Sequence, residues 1–196
     1  MDAHPQLMSS QLDMWQGEFG REYTDRNQVD WHTRVATLKR IIPRDVSTVL
    51  EVGCNRGHNL IALKSLGLDA ICCEPGDYAR LEAVQQGLLV CGCSVYDLDK
   101  ANHTSDLVMT SGVLIHVPPA RLDGALRQIV EAAKRYVLAI EYAGQDEAIE
   151  YRGHRDMLWK RNYGAHYTRL FPELKLMDVG TDVPGFERAT FWLLQK

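Results

Sequence analysis

The stretch Ser47–Pro75, STVLEVGCNRGHNLIALKSLGLDAICCEP, decides the fold. It opens with the β-rich run STVLEV and turns through Gly53-Cys54-Asn55-Arg56-Gly57. Leu60, Leu63 and Leu66 follow at helical spacing, and a second β-rich run ends at Glu74 and Pro75. Strand, glycine turn, helix and strand form a βαβ unit, whose two strands lie parallel and whose crossover is right-handed. The turn is neither the G-x-G-x-x-G of dinucleotide sites nor a G-K-[ST] phosphate loop. A carboxylate, Glu51, also stands two residues before its first glycine.

Working outward, β-rich and helical runs alternate. The runs LLVCGC, SDLVMTS and RYVLAIEY read as strands three to five. Between the last two, Leu122, Ala125, Leu126, Ile129, Val130 and Ala133 form one stripe of a helix that starts at Pro119. A further helix carries Leu81 and Val84 and closes on Gly87 as its C-terminal cap. Two final strands, LKLMDVGT and RATFWLLQK, have only DVPGFE between them and read as an antiparallel pair. The fold class is therefore α/β: a single-domain, doubly wound, mostly parallel seven-stranded sheet with a C-terminal antiparallel hairpin. Residues 1–196 form one domain, with 1–32 as an N-terminal cap and 143–172 as an irregular insertion on the substrate side. Trp15, Phe19 and Tyr23, spaced by four, read as one face of a single cap helix.

The net charge of −4 offers no basic field for a nucleic-acid backbone. No charged segment followed by an apolar run opens the chain and no window is long enough to span a bilayer, so neither export nor a membrane is expected and the cytoplasm is. The five cysteines, Cys54, Cys72, Cys73, Cys91 and Cys93, include no C-x-x-C pair. The four in strand-like runs read as reduced, buried thiols, with no metal site. The oligomeric state is left open between monomer and homodimer.

In an open α/β sheet a ligand lies at the carboxyl ends of the strands, where strand order reverses. Glu51 there would repel a pyrophosphate and attract a ligand carrying an ammonium and a sulfonium. S-adenosylmethionine is such a ligand, with S-adenosylhomocysteine as its spent form. Gly53, Cys54, Asn55 and Gly57 would cradle it, and Glu74 and Pro75 would meet its ribose. Ser94, Val95 and Asp97 would meet its adenine, and Ser111, Gly112 and Val113 its methionine part. Glu74 alone fits a nicotinamide dinucleotide equally well. Two alternatives therefore stay open: an NAD(P)-dependent oxidoreductase and a non-catalytic binder of S-adenosylmethionine.

With these motifs the chain resembles class I S-adenosylmethionine-dependent methyltransferases. More narrowly, it resembles the methylases associated with pseudaminic acid biosynthesis, through FGREYTDRN, VLEVGCNRGHNL, GVLIHV, AIEY, EYRGHRDMLWKRNY and TFWLLQK. The resemblance implies methylation of a small metabolite. Asn55 replaces the middle glycine of the commoner G-x-G-x-G, and Asn162 stands where an aspartate is expected. His116, Glu141 and Tyr142 are the catalytic candidates, each with a packing or capping alternative. Tyr23 and Arg26 are expected to close over the cofactor. Asn27, Tyr151, Arg152, His154 and Lys160 are expected to meet an acidic acceptor, such as a sugar, a nucleotide-sugar or a hydroxy or amino acid. The absence of an Asn-Pro-Pro-aromatic run after strand four favours transfer to oxygen or an amine.

Overall fold

The computed structural model describes residues 5–98 and 103–196, with side chains from residue 11 onward. Strands β1 (Thr48–Val52), β2 (Asp69–Cys73) and β3 (Val90–Cys91) run outward on one side. Strands β4 (Ser105–Ser111) and β5 (Ala133–Glu141) build the other side, parallel to β1. The late strands β8 (Lys175–Gly180) and β9 (Thr190–Gln195) complete a seven-stranded sheet of order β3-β2-β1-β4-β5-β9-β8. Strand β9 is antiparallel to both β5 and β8, as the short DVPGFE connection requires. The strand order reverses between the parallel neighbours β1 and β4, so the crevice lies above their carboxyl ends.

Alternating side chains send each strand's apolar residues to both faces. Val49, Cys72, Leu107 and Leu138 meet helices α3 (His32–Ile41), α4 (His58–Ser65) and α5 (Asp77–Gln85). Leu50, Cys73, Val108 and Val137 meet α6 (Pro119–Ala132) and α7 (Tyr163–Leu170). Cys72 and Cys73 thus point to opposite faces, as their adjacency in a strand requires. Leu122, Ala125, Leu126, Ile129 and Val130 of the α6 stripe are buried, while Ala133, the last residue of the expected stripe, already opens β5; Gly87 takes φ +77° just past α5.

Four expectations need correction. The cap is two helices, α1 (Pro5–Gln16) and α2 (Glu18–Arg26), broken at Gly17, whose backbone is extended. The break lets Trp15 fold back, its ring 5.1 Å from Phe19 and 5.3 Å from Tyr23. A Cβ at Gly20 would lie 1.8 Å from the Trp15 carbonyl oxygen, so only glycine admits this approach. Residues 143–172 are not irregular: β6 (Glu147–Tyr151) and β7 (His154–Lys160) form a hairpin, and α7 follows. Asn162 caps α7, its Oδ1 accepting from the Ala165 N–H at 3.1 Å, a bond an aspartate would make equally well. On α5 the buried residues are Ala79 and Ala83, while Leu81 and Val84 are exposed. Cys91 is exposed and Cys93 half-buried, because β3 is a two-residue edge strand; Cys54, Cys72 and Cys73 are buried, and none of the five is in a disulfide.

Helix α7 docks on the terminal hairpin through a glycine. A Cβ at Gly164 would lie 2.4 Å from Cδ1 of the buried Trp192, which also packs edge-on against Tyr163. Alanine ordinarily improves a helix interior by about 1 kcal/mol. Here the overpacked contact dominates, and Gly164→Ala is expected to destabilise the protein by about 1–3 kcal/mol in urea unfolding.

Candidate active site

A cavity of about 530 Å³ opens above the carboxyl ends of β1, β4 and β5, a size suited to a small molecule. Its floor is the glycine turn. Gly53 has φ +73° and donates its N–H to the Cys73 carbonyl at 2.8 Å, and a Cβ there would lie 2.6 Å from Cγ2 of Val113. Asn55 takes φ +49°, a conformation asparagine tolerates better than most residues. Gly57 (φ +83°) is absent from the wall. A Cβ there would lie 2.2 Å from Leu88, so this glycine serves the packing of the turn against α5 and the connection that follows it.

Glu51 is 1% exposed and faces the α3–α4 side at the end of β1. Its Oε1 accepts from Asn59 Nδ2 at 2.7 Å, and Asn59 Oδ1 in turn accepts from Arg34 Nη1 at 2.6 Å. Its Oε2 is buried without a partner beside the cavity it helps line. Burial pushes the carboxyl up to about 7, against the bond from Asn59, the field of Arg34 and a bond from the Leu60 N–H. Glu74 is half-buried, and desolvation raises its carboxyl above the ordinary range. Its oxygens accept from the Asn55 N–H at 2.9 Å and the Gly76 N–H at 2.8 Å, leaving further lone pairs toward the cavity.

Pro75, Ser94, Val95 and Tyr96 continue the wall. Asp97 does not join it: its Oδ1 accepts from the Ser94 N–H at 2.6 Å and from the Ser94 hydroxyl, closing the loop on itself. Beyond β4, Ser111, Gly112 and Val113 line the cavity and lead into the 3₁₀ turn Leu114–His116. Glu141 holds that turn, accepting from the N–H groups of Val113 and Leu114 at 3.2 Å each and of Ile115 at 3.4 Å. Its carboxylate is thereby occupied with positioning.

His116 lies against Trp15, with ring centroids 4.5 Å apart. Its Nδ1 sits 2.6 Å from the Met157 carbonyl, an acceptor, so Nδ1 carries the proton and Nε2 the lone pair. Burial lowers its pKa to about 4, which keeps the ring neutral. The Tyr142 hydroxyl donates to Glu187 Oε2, and burial first, then this bond, raises its pKa, so it stays protonated.

The cap contributes Tyr23, Arg26 and Asn27 to the wall. Tyr23 is pushed up to about 12, mainly by burial. The Arg26 guanidinium rests on the Tyr23 and Phe19 rings at 5.4 and 5.9 Å, and its Nη2 is buried with no acceptor. The hairpin brings in Tyr151 and Arg152 at its tip, where Arg152 (φ +52°) and Gly153 (φ +81°) form the two-residue turn. An arginine with positive φ is strained, and such strain concentrates at functional positions. His154 and Lys160 lie outside the cavity wall; His154 packs against Phe19 instead.

Sequence reasoning missed Arg34, His58, Asn59 and Glu187, all of which line the cavity. Asn59 carried a signal, since a polar residue shares the buried face of α4 with Ala62 and Leu63. Arg34 and Glu187 carried none, because only tertiary packing brings α3 and the β8–β9 loop to the crevice. Among the described residues no cluster is placed to hold a metal ion, and no helix is long and apolar enough to cross a membrane.

No family model and no curated protein matches the chain. Solved structures do match its fold. Magnesium protoporphyrin IX methyltransferase from Synechocystis, solved with bound S-adenosylmethionine, is 15% identical, with full coverage of both chains and a TM-score of 0.71. The 1,6-didemethyltoxoflavin-N1-methyltransferase of Burkholderia thailandensis, solved with its substrate and S-adenosylhomocysteine, is 17% identical. It covers 100% of this chain and 92% of its own, at a TM-score of 0.73. An S-adenosylmethionine-dependent methyltransferase of Archaeoglobus fulgidus is 13% identical, covering 92% of this chain and 100% of its own at 0.69. The chain therefore has the Rossmann-like methyltransferase fold.

The raised Glu51 sets a pH-dependent cost. Its folded pKa, about 7, exceeds the ordinary 4.5, so between those values the folded state holds a proton the unfolded chain has lost. Stability of the ligand-free protein should fall as pH rises through that window. Glu51→Gln is expected to melt above the parent at pH 8 and together with it near pH 4.5, as read by ligand-free thermal scans.

Proposed function

We propose that the chain is an S-adenosylmethionine-dependent methyltransferase acting on a small, acidic metabolite. One observation carries this reading. In a single cavity beside a glycine turn, a buried carboxylate oxygen of Glu51 lacks a donor and a buried guanidinium nitrogen of Arg26 lacks an acceptor. Buried polar groups left open in this way are costly unless a ligand completes them. The ammonium and carboxylate of an α-amino acid head would complete both, whereas a pyrophosphate would meet the wrong charge at Glu51. In this reading Glu74 takes the ribose hydroxyls and Ser94, Val95 and Tyr96 the adenine ring, supported by their presence in the cavity wall.

The bound cofactor supplies a methyl group on a sulfonium, an electrophile needing no protein nucleophile. The chain's own task is alignment and exclusion of water, through α1–α2 above and Ser111–Val113 below. Of the base candidates, His116 fits best, because its Nε2 holds a lone pair on a neutral ring. Glu141 is tied to three backbone N–H groups, and Tyr142 is a proton donor to Glu187. Tyr151, Asn27 and the strained Arg152 form the acceptor side, where a cation suits a carboxylated or phosphorylated molecule. Kinship with the methylases of pseudaminic acid biosynthesis, a cytoplasmic location and one methyltransferase domain over 1–196 belong to the same proposal and rest on the sequence motifs. The substrates in the names of the Synechocystis and Burkholderia enzymes are themselves small molecules, which supports the size class.

S-adenosylhomocysteine is expected to raise the melting temperature by several degrees, and NAD(P) to leave it unchanged. Arg26→Met should weaken that ligand about tenfold or more in calorimetry, the loss typical of a charged hydrogen bond. A screen of acidic sugars, nucleotide-sugars and hydroxy acids with S-adenosylmethionine, read by mass, should return one product heavier by a methyl group. In that assay His116→Gln should lower kcat at least a hundredfold with the cofactor affinity little changed. A dinucleotide shift would establish the oxidoreductase instead. Binding without turnover across the screen would establish a non-catalytic binder.

A further inference from the structure

Glu51 does not reach the cavity on its own. Asn59, on the first turn of α4, occupies its Oε1 and accepts in turn from Arg34 of α3. Arg34 has a second arm: its Nε donates to the Gly185 carbonyl at 3.0 Å, and its guanidinium lies 4.6 Å from the Phe186 ring centroid. Thr37, one turn along α3, donates to the Pro184 carbonyl at 2.9 Å. A Cβ at Gly185 would lie 2.6 Å from the Thr33 carbonyl oxygen, so the β8–β9 loop is pressed onto α3. Two residues further along that loop, Glu187 takes φ +55° and accepts from Tyr142 at the cavity.

We propose that Arg34 and Asn59 are positioning residues. Their relay fixes Glu51 with Oε2 open to the cationic head of the cofactor, and the other arm of Arg34 ties that carboxylate to the loop carrying Glu187 on the acceptor side. This inference rests on the cofactor reading above and adds two residues and a link between the two halves of the cavity. The relay works by geometry and by charge. Asn59 satisfies one oxygen so that the other cannot rotate inward, and Arg34 supplies the cation that favours the ionised carboxyl. The other titratable groups facing Glu51 are Glu74 and the Cys54 thiol. Those facing Arg34 are His58, Tyr23, Tyr142 and Glu187. Glu74 opposes ionisation of Glu51, so Arg34 is the one of these groups that assists it.

The test is calorimetry of S-adenosylhomocysteine binding between pH 6 and 8.5, on the full chain and on Arg34→Met, Arg34→Lys and Asn59→Leu. The parent should bind about tenfold more weakly at pH 6 than at pH 8, because Glu51 must be ionised to receive an ammonium. Arg34→Met should move that midpoint upward, weakening binding about tenfold at pH 7 but less than about threefold at pH 8.5. Asn59→Leu should move it the same way and carries the test if Arg34→Met does not fold. Arg34→Lys, which keeps the charge, should hold the midpoint near the parent's. Equal weakening of Arg34→Met and Asn59→Leu at every pH would overturn the relay while leaving the cofactor reading intact, as would parent-like profiles. Absence of binding by the parent itself would overturn the cofactor reading, and the relay with it.

Discussion

A buried carboxylate with only one oxygen satisfied is the constraint around which the rest of the crevice is arranged. Removing an ionised carboxylate from water costs several kcal/mol unless partners replace the lost hydration. At Glu51 the protein supplies the Asn59 amide and the Leu60 N–H, and leaves Oε2 bare. An apolar residue at the end of β1 would be more stable. The carboxylate therefore makes physical sense as half of an interaction whose other half arrives with a ligand, in the manner of other strained functional sites.

The sheet order makes that arrangement possible. Because the chain leaves β1 for β2 and β3 and returns to β4, the connections after β1 and β4 diverge to either side, and the glycine turn can face the space between them directly. The two-helix cap then closes the space from above, pinned by Gln16 on the Pro75 carbonyl and by Asn55 Nδ2 on the Thr24 hydroxyl at 3.3 Å each. The cap presents a guanidinium over aromatic rings while the floor presents carboxylates. The cavity wall thus carries both an open acceptor and an open donor, which suits a zwitterionic ligand head better than a purely anionic one.

The sheet was legible because its information is local. Alternating runs set the strands, Gly53 and Gly87 marked turns that do take positive φ, and the short final connection forced β9 to lie antiparallel. The acidic ends of β1 and β2 were legible for the same reason. What escaped was whatever depends on partners distant in sequence. Residue spacing alone made Trp15, Phe19 and Tyr23 one helix, and the extended backbone at Gly17 undoes it. Leu81 and Val84 were the largest aliphatic residues of their helix, but α5 lies beside the edge strand β3, and they face outward. Lys160 was grouped by charge with Arg152, although β7 carries it away from the tip of the hairpin. Arg34 and Glu187 reach the crevice only through the clamp of α3 on the β8–β9 loop, and nothing in their neighbouring residues announces it.

The central claim is that Glu51 keeps an oxygen open for a positive charge on the ligand. The most direct measurement compares, by calorimetry at pH 8, S-adenosylhomocysteine with its analogue lacking the α-amino group. The account predicts that removing the ammonium weakens binding about tenfold or more to the parent and little to Glu51→Gln. Equal binding of the two compounds by the parent would contradict it.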